Sequence, residues 1–466
     1  MAIRLYNTLT KSVENFRPID DKAVNMFVCG PTVYDLSHLG HARTYIFMDV
    51  LARIIKHSGY EVFYLQNITD IDDKIIKRSN DKKIDWKELG SKYISEYLAD
   101  MKSLNNTSVT EYAKATDYIE DIIKQVQILL DKGHAYSVEG DGIYFEISTF
   151  PDYGKLSGRT DVTKDDAQSR IDHSEHKRGW NDFCLWKFSK DNEPEWNAPF
   201  GAGRPGWHIE DTAIAEHFFG TQYDIHGGAI DLIFPHHEAE ITQMESISDK
   251  SPFVKYWVHT GFLTINNDKM SKSLDNFHTI KDIIQKGYNP MAIRLFILQS
   301  HYRSQVDFTF ENLNAASNRL NNWRNIAALR HQTHDTIKND GEKASDGLSL
   351  YVTSGALLEL LQNDIDTPKA LALIDEAFSQ LASSKLKEIQ RDALIQLLEA
   401  IDEYLGLKLL DSTPDITDSQ KQMILERKQA KLNSDFKKSD LIRHKLEAEK
   451  ISLKDNSNDV IWGYIN

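Results

Sequence analysis

The sequence has few cysteines, no long apolar run and no excess of positive charge, and each absence excludes a class of protein. Cys29 and Cys184 are the two cysteines in 466 residues, which excludes a disulfide scaffold and indicates a reducing compartment. No charge-free apolar run reaches the roughly 18 residues of a membrane span, and the beginning lacks the apolar stretch of a signal peptide, so we expect a cytoplasmic protein without membrane contact. With 55 Lys and Arg against 70 Asp and Glu, the net charge of −15 excludes nucleic-acid binding through a general positive field.

Length and pattern predict several domains. At roughly 150 residues per domain, the 466 residues correspond to about three. An apolar run at 24–29, helical spacing from Leu39 to Ile54 and a second apolar run at 61–68 predict a βαβ unit. The charged stretch from about 72 to 121 is typical of helices, and the irregular stretch from about 133 to 204 indicates an insertion within a nucleotide-binding sheet.

The second half of the chain predicts another α/β portion, a helical bundle and a basic tail. After the string GRPGWHIED, residues 223–234 predict a strand and turn, and residues 235–246 predict a helix. Thr367 is the predicted N-cap of one helix in a bundle that spans about 311–407. Residues 421–450 contain nine Lys or Arg and five Asp or Glu, so this tail is locally basic although the chain is acidic.

Two short strings indicate phosphate chemistry. HLGH, from His38 to His41, lies where the first strand turns into its helix, which places two imidazoles beside the free amides of a helix N-terminus. KMSKS, from Lys269 to Ser273, sets two lysines among small residues, as suits a loop that closes on pyrophosphate charge. Helix caps and a solvated basic loop are the simpler alternatives. Together and in this order, the strings resemble the two signatures of class I aminoacyl-tRNA synthetases.

A third group of residues is typical of a zinc site. Cys29 ends the first strand, and the string PHHEAE places His236 and Glu240 four apart on one predicted helix face. A thiolate, an imidazole and a carboxylate are ligands that zinc accepts. Taken singly, these residues could also be a buried apolar side chain, a helix cap and a solvated acid.

The longer strings around these residues resemble the cysteinyl-tRNA synthetase family over nearly the whole chain. They are CGPTVYDLSHLGHART, NITDIDDKI, GRPGWHIE, DIHGGAIDLIFPHHEAE and KMSKSLDN. In that family two Cys, one His and one Glu hold zinc, and Cys29, His236 and Glu240 match three of these positions. Asp211 stands where the family has its second Cys. Because a carboxylate is a zinc ligand with the same formal charge as a thiolate, we expect one Zn²⁺ per chain on these four residues.

The resemblance implies a reaction and roles for further residues. Cysteine would attack the α-phosphorus of ATP, with Mg²⁺ on the phosphates, and the adenylate would pass to the terminal adenosine of tRNA(Cys). His38, His41, Lys269 and Lys272 would be catalytic. The implied ATP-binding residues are His38, His41, Gly227, Gly228, Asp231 and Lys272, and the implied cysteine-binding residues are Thr69, Trp207 and His226.

The expected fold class is α/β, a Rossmann-like class I catalytic domain with an insertion, followed by an α-helical bundle and a small C-terminal domain. The predicted parts are 1–115 and 206–265 for the two catalytic halves, 116–205 for the insertion, 266–310 for the KMSKS loop and stem-contact region, 311–410 for a tRNA-binding bundle, and 411–466 for a basic anticodon-reading tail. We expect a monomer with tRNA(Cys), ATP and L-cysteine as partners. Two alternatives stay open: a cysteine ligase of mycothiol-type synthesis, and an inactive RNA-binding paralogue, to which the change at Asp211 points.

Overall fold

The computed structural model describes residues 2–160, 176–191, 193–269, 276–332, 348–455 and 460–465. The chain divides into two units, of which the first comprises Met1–Gly287 and Tyr302–Asp307 and the second Tyr288–His301 and Phe308–Asn466. The division into six smaller parts stays a prediction.

Short strands alternate with helices through the first unit, and helices dominate the second. In chain order the described strands are β1 (Arg4–Asn7), β2 (Ser12–Asn15), β3 (Ala23–Val28), β4 (Glu61–Ile68), β5 (Glu111–Lys114), β6 (Ala135–Val138), β7 (Gly142–Phe145), β8 (Phe183–Phe188), β9 (Gly203–Pro205), β10 (Tyr223–Ala229), β11 (Val254–Thr260), β12 (Leu263–Ile265), β13 (Asp268–Lys269), β14 (Val306–Phe308), β15 (Ile451–Asp455) and β16 (Val460–Tyr464). The described α-helices are α1 (Leu39–His57), α2 (Asp73–Lys82), α3 (Trp86–Ser103), α4 (Ile119–Asp131), α5 (Ile209–Phe219), α6 (Glu238–Ser248), α7 (Ile280–Gln285), α8 (Pro290–Leu298), α9 (Phe310–Ala327), α10 (Leu348–Gln362), α11 (Thr367–Ser383), α12 (Arg391–Leu405), α13 (Asp418–Leu432) and α14 (Phe436–Ala448).

A five-stranded parallel sheet forms the centre of the first unit. Its strand order is β11-β10-β3-β4-β5, so the chain runs outward from β3 in both directions. Val28, the last residue of β3, is in register with Gly227 on one side and Gln66 on the other. In open parallel sheets ligands bind beyond the carboxyl ends of the strands where the order reverses, which here is between β3 and β10.

The first βαβ unit is confirmed, and three other expectations for the first unit need correction. α1 and β4 lie where the pattern placed them, but the charged stretch predicted as helical contains the edge strand β5. The stretch predicted as irregular contains the antiparallel sheet β6-β7-β8-β9, whose strands of three to six residues are too short to show a clear alternation. The helix predicted from residue 235 begins at Glu238, because Pro235 and His236 belong to the preceding turn Ile233–His237.

The second unit contains the predicted bundle and the tail. Helices α9 to α12 form the bundle, although Asp366 rather than Thr367 caps α11, its side chain accepting from the amide of Lys369. The tail consists of α13, α14 and the antiparallel hairpin β15–β16. Gln332 ties the hairpin to the bundle, since its Oε1 accepts from the amide of Trp462 at 2.9 Å. No described helix combines the length and apolarity that crossing a membrane requires.

Candidate active site

A cavity of about 620 Å³ opens at the carboxyl ends of β3, β4 and β10. Its volume lies in the range of pockets that enclose a drug-sized ligand. Among the residues that the sequence singled out, those on its wall are Cys29, His38, His41, Thr69, Trp207, Asp211, Asp231 and His236. Within the described part of the chain, Gly227, Gly228, His226 and Glu240 are not on the wall.

A close backbone approach forms the turn after β3. A Cβ on Gly30 would lie 1.6 Å from the carbonyl oxygen of Asn67, so only glycine fits here. The amide of Gly30 donates to Asn67 Oδ1 at 2.6 Å, and the other end of that side chain donates to Asp211 Oδ1 at 2.6 Å. Asn67 therefore joins the turn that carries Cys29 to the first turn of α5.

The HLGH residues cap α1 and face the cavity. Nδ1 of His38 accepts from the amides of Gly40 and His41, and Nδ1 of His41 accepts from the amide of His38, as in a capping box. The two rings stack with centroids 3.8 Å apart. Burial lowers the pKa of His41 to about 4, so this ring is neutral and keeps its proton on Nε2. The capping role and a donor role toward a ligand are therefore compatible.

The segment that follows the KMSKS loop is fixed beside HLGH. The amide of Leu39 donates to the carbonyl of His278 at 3.2 Å, and the amide of Ile280 donates to that of Ser37 at 3.0 Å. Lys269 is the last residue of β13. The Lys269 side chain and residues 270–275, which include Lys272, lie outside the described residues.

The four predicted metal ligands converge. Cys29, Asp211, His236 and Glu240 each offer one ligand atom, and all four atoms lie within 4.8 Å of one another. Nε2 of His236 lies 2.8 Å from Glu240 Oε1 and 3.2 Å from Asp211 Oδ2. Although His236 lies one turn ahead of α6, it still reaches the carboxylate four residues later.

Neighbouring side chains orient the His236 ring. Its Nδ1 lies 2.8 Å from Nδ1 of His208, and the indole of Trp207 stacks on it with centroids 4.2 Å apart. A fixed partner on the second ring nitrogen is typical of a ligating imidazole, because it holds Nε2 toward the ion.

The charge balance of this cluster favours a cation. Burial raises the pKa of the Cys29 thiol, and the Asp211 and Glu240 carboxylates raise it further. Burial also raises the pKa of Glu240 above its usual range, against the opposing effect of His236. The pKa of His236, which burial alone would lower, rises to about 9 because of these carboxylates. A divalent cation would relieve this crowding of negative charge, and the donor set suits zinc.

A second group of possible ligands overlaps the first. Cys29 and Glu240 also lie with His226 and His237, again with all ligand atoms within 4.8 Å. Nε2 of His226 lies 3.2 Å and Nε2 of His237 3.1 Å from Cys29 Sγ. Glu240 Oε2 is buried without a hydrogen-bond partner among the described residues, and His226 is 3.4 Å away. His226 thus lies behind Cys29 rather than on the cavity wall.

Sequence reasoning missed three residues of this site. They are Asn67, Glu210 and His237, and the signal for the last was the spacing of three between it and Glu240 in PHHEAE. The two glycines predicted to approach ATP have close neighbours within the fold, and their role toward ATP stays a prediction. A Cβ on Gly227 would lie 2.7 Å from Met48 Sδ, and one on Gly228 2.8 Å from the His237 ring.

Comparison with known proteins identifies the family. The family described as tRNA synthetases class I (C) catalytic domain matches residues 15–318. Proteins named Cysteine--tRNA ligase from Thermoplasma acidophilum and Thermococcus onnurineus are each 41% identical to this chain, over 99% and 100% of it and 100% of each relative. The solved structure of Mycobacterium tuberculosis methionyl-tRNA synthetase with methionyl-adenylate shares the fold, with a TM-score of 0.62 at 15% identity over 84% of this chain and 93% of that one. The chain therefore belongs to the cysteine–tRNA ligase family of class I aminoacyl-tRNA synthetases.

Proposed function

We propose that this chain activates L-cysteine with ATP to cysteinyl adenylate and transfers the cysteinyl group to the terminal adenosine of tRNA(Cys). The observation that carries the proposal is a cavity whose wall holds both histidines of HLGH and three members of the Cys29, Asp211, His236 and Glu240 cluster. A phosphate-binding helix start next to a thiol-binding cluster suits the joining of ATP to a thiol amino acid.

The chain's contribution to adenylate formation is positioning and charge stabilisation. Nδ1 of both His38 and His41 accepts from backbone amides, and each ring would donate from Nε2–H to phosphate oxygens. As a neutral donor at physiological pH, His41 would gain strength as charge develops on the phosphates. Lys269 and Lys272 would neutralise the leaving pyrophosphate, which reaches the site with Mg²⁺, and Asp231 on the cavity wall would accept from the ATP ribose.

Cys29, Asp211, His236 and Glu240 would hold a zinc ion. When bound, zinc supplies a soft Lewis acid that lowers the pKa of the substrate thiol and prefers sulfur to oxygen. A pocket that used shape alone would separate cysteine from serine by only about 100-fold. Thr69 and Trp207 line the same cavity and would orient the rest of the amino acid.

The tail offers a surface for the RNA. Phe436 is 63% exposed and Leu432 is 72% exposed, at the junction of α13 and α14. Lys428, Lys437 and Lys438 are exposed on the same two helices. Exposed aromatic and apolar side chains among lysines suit unpaired bases that stack while the phosphates are neutralised, as an anticodon loop requires. A monomeric state and a cytoplasmic location stay predictions.

Two assays on the purified chain test the proposal. Cysteine-dependent exchange of pyrophosphate into ATP measures activation, and attachment of cysteine to tRNA(Cys) measures transfer. We expect both activities. Exchange without charging, but with transfer to an amino sugar, would favour the mycothiol-type ligase, and the absence of both would favour the inactive paralogue.

A further inference from the structure

Glu210 is a buried carboxylate on the cavity wall that the steps above do not use. It lies in the first turn of α5, is 1% exposed and lines the same cavity as Thr69 and Asp211. The hydroxyl of Thr69 donates to its Oε2 at 2.9 Å. That hydroxyl is the one hydrogen-bond partner of the Glu210 side chain within the described part of the chain.

The charged groups that act most strongly on Glu210 have its own sign. They are Asp211, Asp72 and Asp70, and together with burial they raise the pKa of Glu210. Two of these acidic neighbours already have hydrogen-bond donors. Asp70 accepts from the amide and hydroxyl of Thr116, and Asp72 accepts from the amide of Lys74 in α2. Among the described residues no ion pair joins Glu210 to a Lys, Arg or His, so a cation that enters the cavity would stabilise the ionised carboxylate.

The substrate carries a cation of suitable size and position. The α-ammonium of cysteine is joined to the sulfur through only the α and β carbons, so its partner must adjoin the thiol site. Asp211, the next residue in the chain, belongs to the cluster proposed to hold the metal that takes the thiol. We propose that Glu210 accepts the α-ammonium of cysteine, with Thr69 fixing the orientation of its carboxylate. The inference rests on the proposed function and adds a specificity-determining residue to it.

Two partial analogues of cysteine test the assignment. Cysteamine keeps the thiol and the ammonium, whereas 3-mercaptopropionate keeps the thiol and the carboxylate. Each is used as an inhibitor of cysteine-dependent pyrophosphate exchange by the zinc-loaded full-length chain and by Glu210→Gln. We expect the variant to raise the KM for cysteine and the inhibition constant of cysteamine by about 10- to 100-fold, with the constant for 3-mercaptopropionate changed less than about threefold. Since the contact between Glu210 and the α-ammonium is present both in the bound substrate and in the transition state, kcat of the variant should stay within a few fold of the parent value.

A matched control separates this role from general destabilisation. Glu245 is a buried carboxylate of α6 that pairs with Lys155 and accepts from the amide of Phe253, away from the cavity wall. Glu245→Gln should leave the ratio of the two inhibition constants unchanged, and both variants should retain as much zinc as the parent. If Glu210→Gln does not fold, Glu210→Asp keeps the charge, and we expect it to preserve the preference for cysteamine with a smaller increase in KM.

The possible outcomes separate the inference from the proposed function. Equal weakening of both analogues, or no change in either, would overturn the role of Glu210 while cysteine-dependent exchange by the parent chain continued. A parent chain with zinc but without cysteine-dependent exchange would overturn the proposed function instead.

Discussion

Replacing Asn67 by alanine should weaken zinc binding by the metal cluster, although none of the four ligand residues is replaced. Asn67 is 2% exposed, accepts the amide of Gly30 at 2.6 Å and donates to Asp211 Oδ1 at 2.6 Å. In Asn67→Ala both contacts are lost, and Asp211 is free to rotate away from His236. The variant should therefore release zinc faster than the parent chain.

The magnitude follows from the two lost contacts. A buried amide left unpaired costs about 1 to 3 kcal/mol, and a hydrogen bond to a charged group is worth about 1.5 to 3 kcal/mol. We therefore expect the free energy of unfolding to fall by about 3 to 5 kcal/mol. Loss of a residue that orients a ligand typically lowers metal affinity by about 10- to 100-fold, and we expect a change of this size in zinc affinity.

Competition with a chromophoric chelator measures the zinc affinity, and Asn7→Ala is the matched control. Asn7 is also 2% exposed and also bridges two segments, donating to the carbonyl of Lys255 and accepting from the amide of Trp257. The control should lose comparable stability but keep the zinc affinity of the parent. Equal zinc loss in both variants, or parental affinity in Asn67→Ala, would refute the positioning role.

Three further predictions address the ligands, the loop and the tail. Asp211→Cys should hold zinc at least as tightly as the parent, whereas Asp211→Ala should lose zinc and the discrimination against serine. Elemental analysis measures the zinc content, and serine-dependent pyrophosphate exchange measures the discrimination. Full zinc content in the alanine variant would exclude Asp211 as a ligand. Lys272→Ala should depress kcat for adenylate formation by about 100-fold or more with ATP affinity nearly unchanged, because its role is confined to the transition state; a raised KM for ATP at parental kcat would reject that role. Joint replacement of Lys428, Lys437 and Lys438 by Ala should weaken tRNA charging and make it less dependent on salt concentration, while pyrophosphate exchange stays intact. An equal loss of both activities would exclude an RNA-binding role for these three lysines.

Long and regular patterns made part of the fold predictable. α1 repeats apolar residues at helical spacing over 19 residues, and β4 is an eight-residue strand with a buried second half. β5 has four residues with one buried side chain, so nothing local distinguishes it from the charged helix that precedes it. It becomes a strand because β4 offers an open parallel edge, which is a tertiary effect.

The site was predictable where a signature string carried it. Cys29, His236 and Glu240 belong to such strings, and the structure brings them together with Asp211. Asn67 and Glu210 also stand in the strings NITDIDDKI and GRPGWHIE, but their roles come from contacts with residues far away in the sequence, with Asp211 and Thr69 respectively. No local pattern contains that information, because a buried polar residue at the end of a strand or the start of a helix is common.

X-ray absorption at the zinc edge, measured on the purified chain before and after addition of cysteine, tests the central claim most directly. Because Asp211 replaces a sulfur ligand, the account predicts a single sulfur on zinc in the free protein, supplied by Cys29. Cysteine should add a second sulfur, and serine should leave the count unchanged. A chain that purifies without zinc, or a sulfur count that cysteine does not alter, would contradict the claim that this cluster selects the substrate through its thiol.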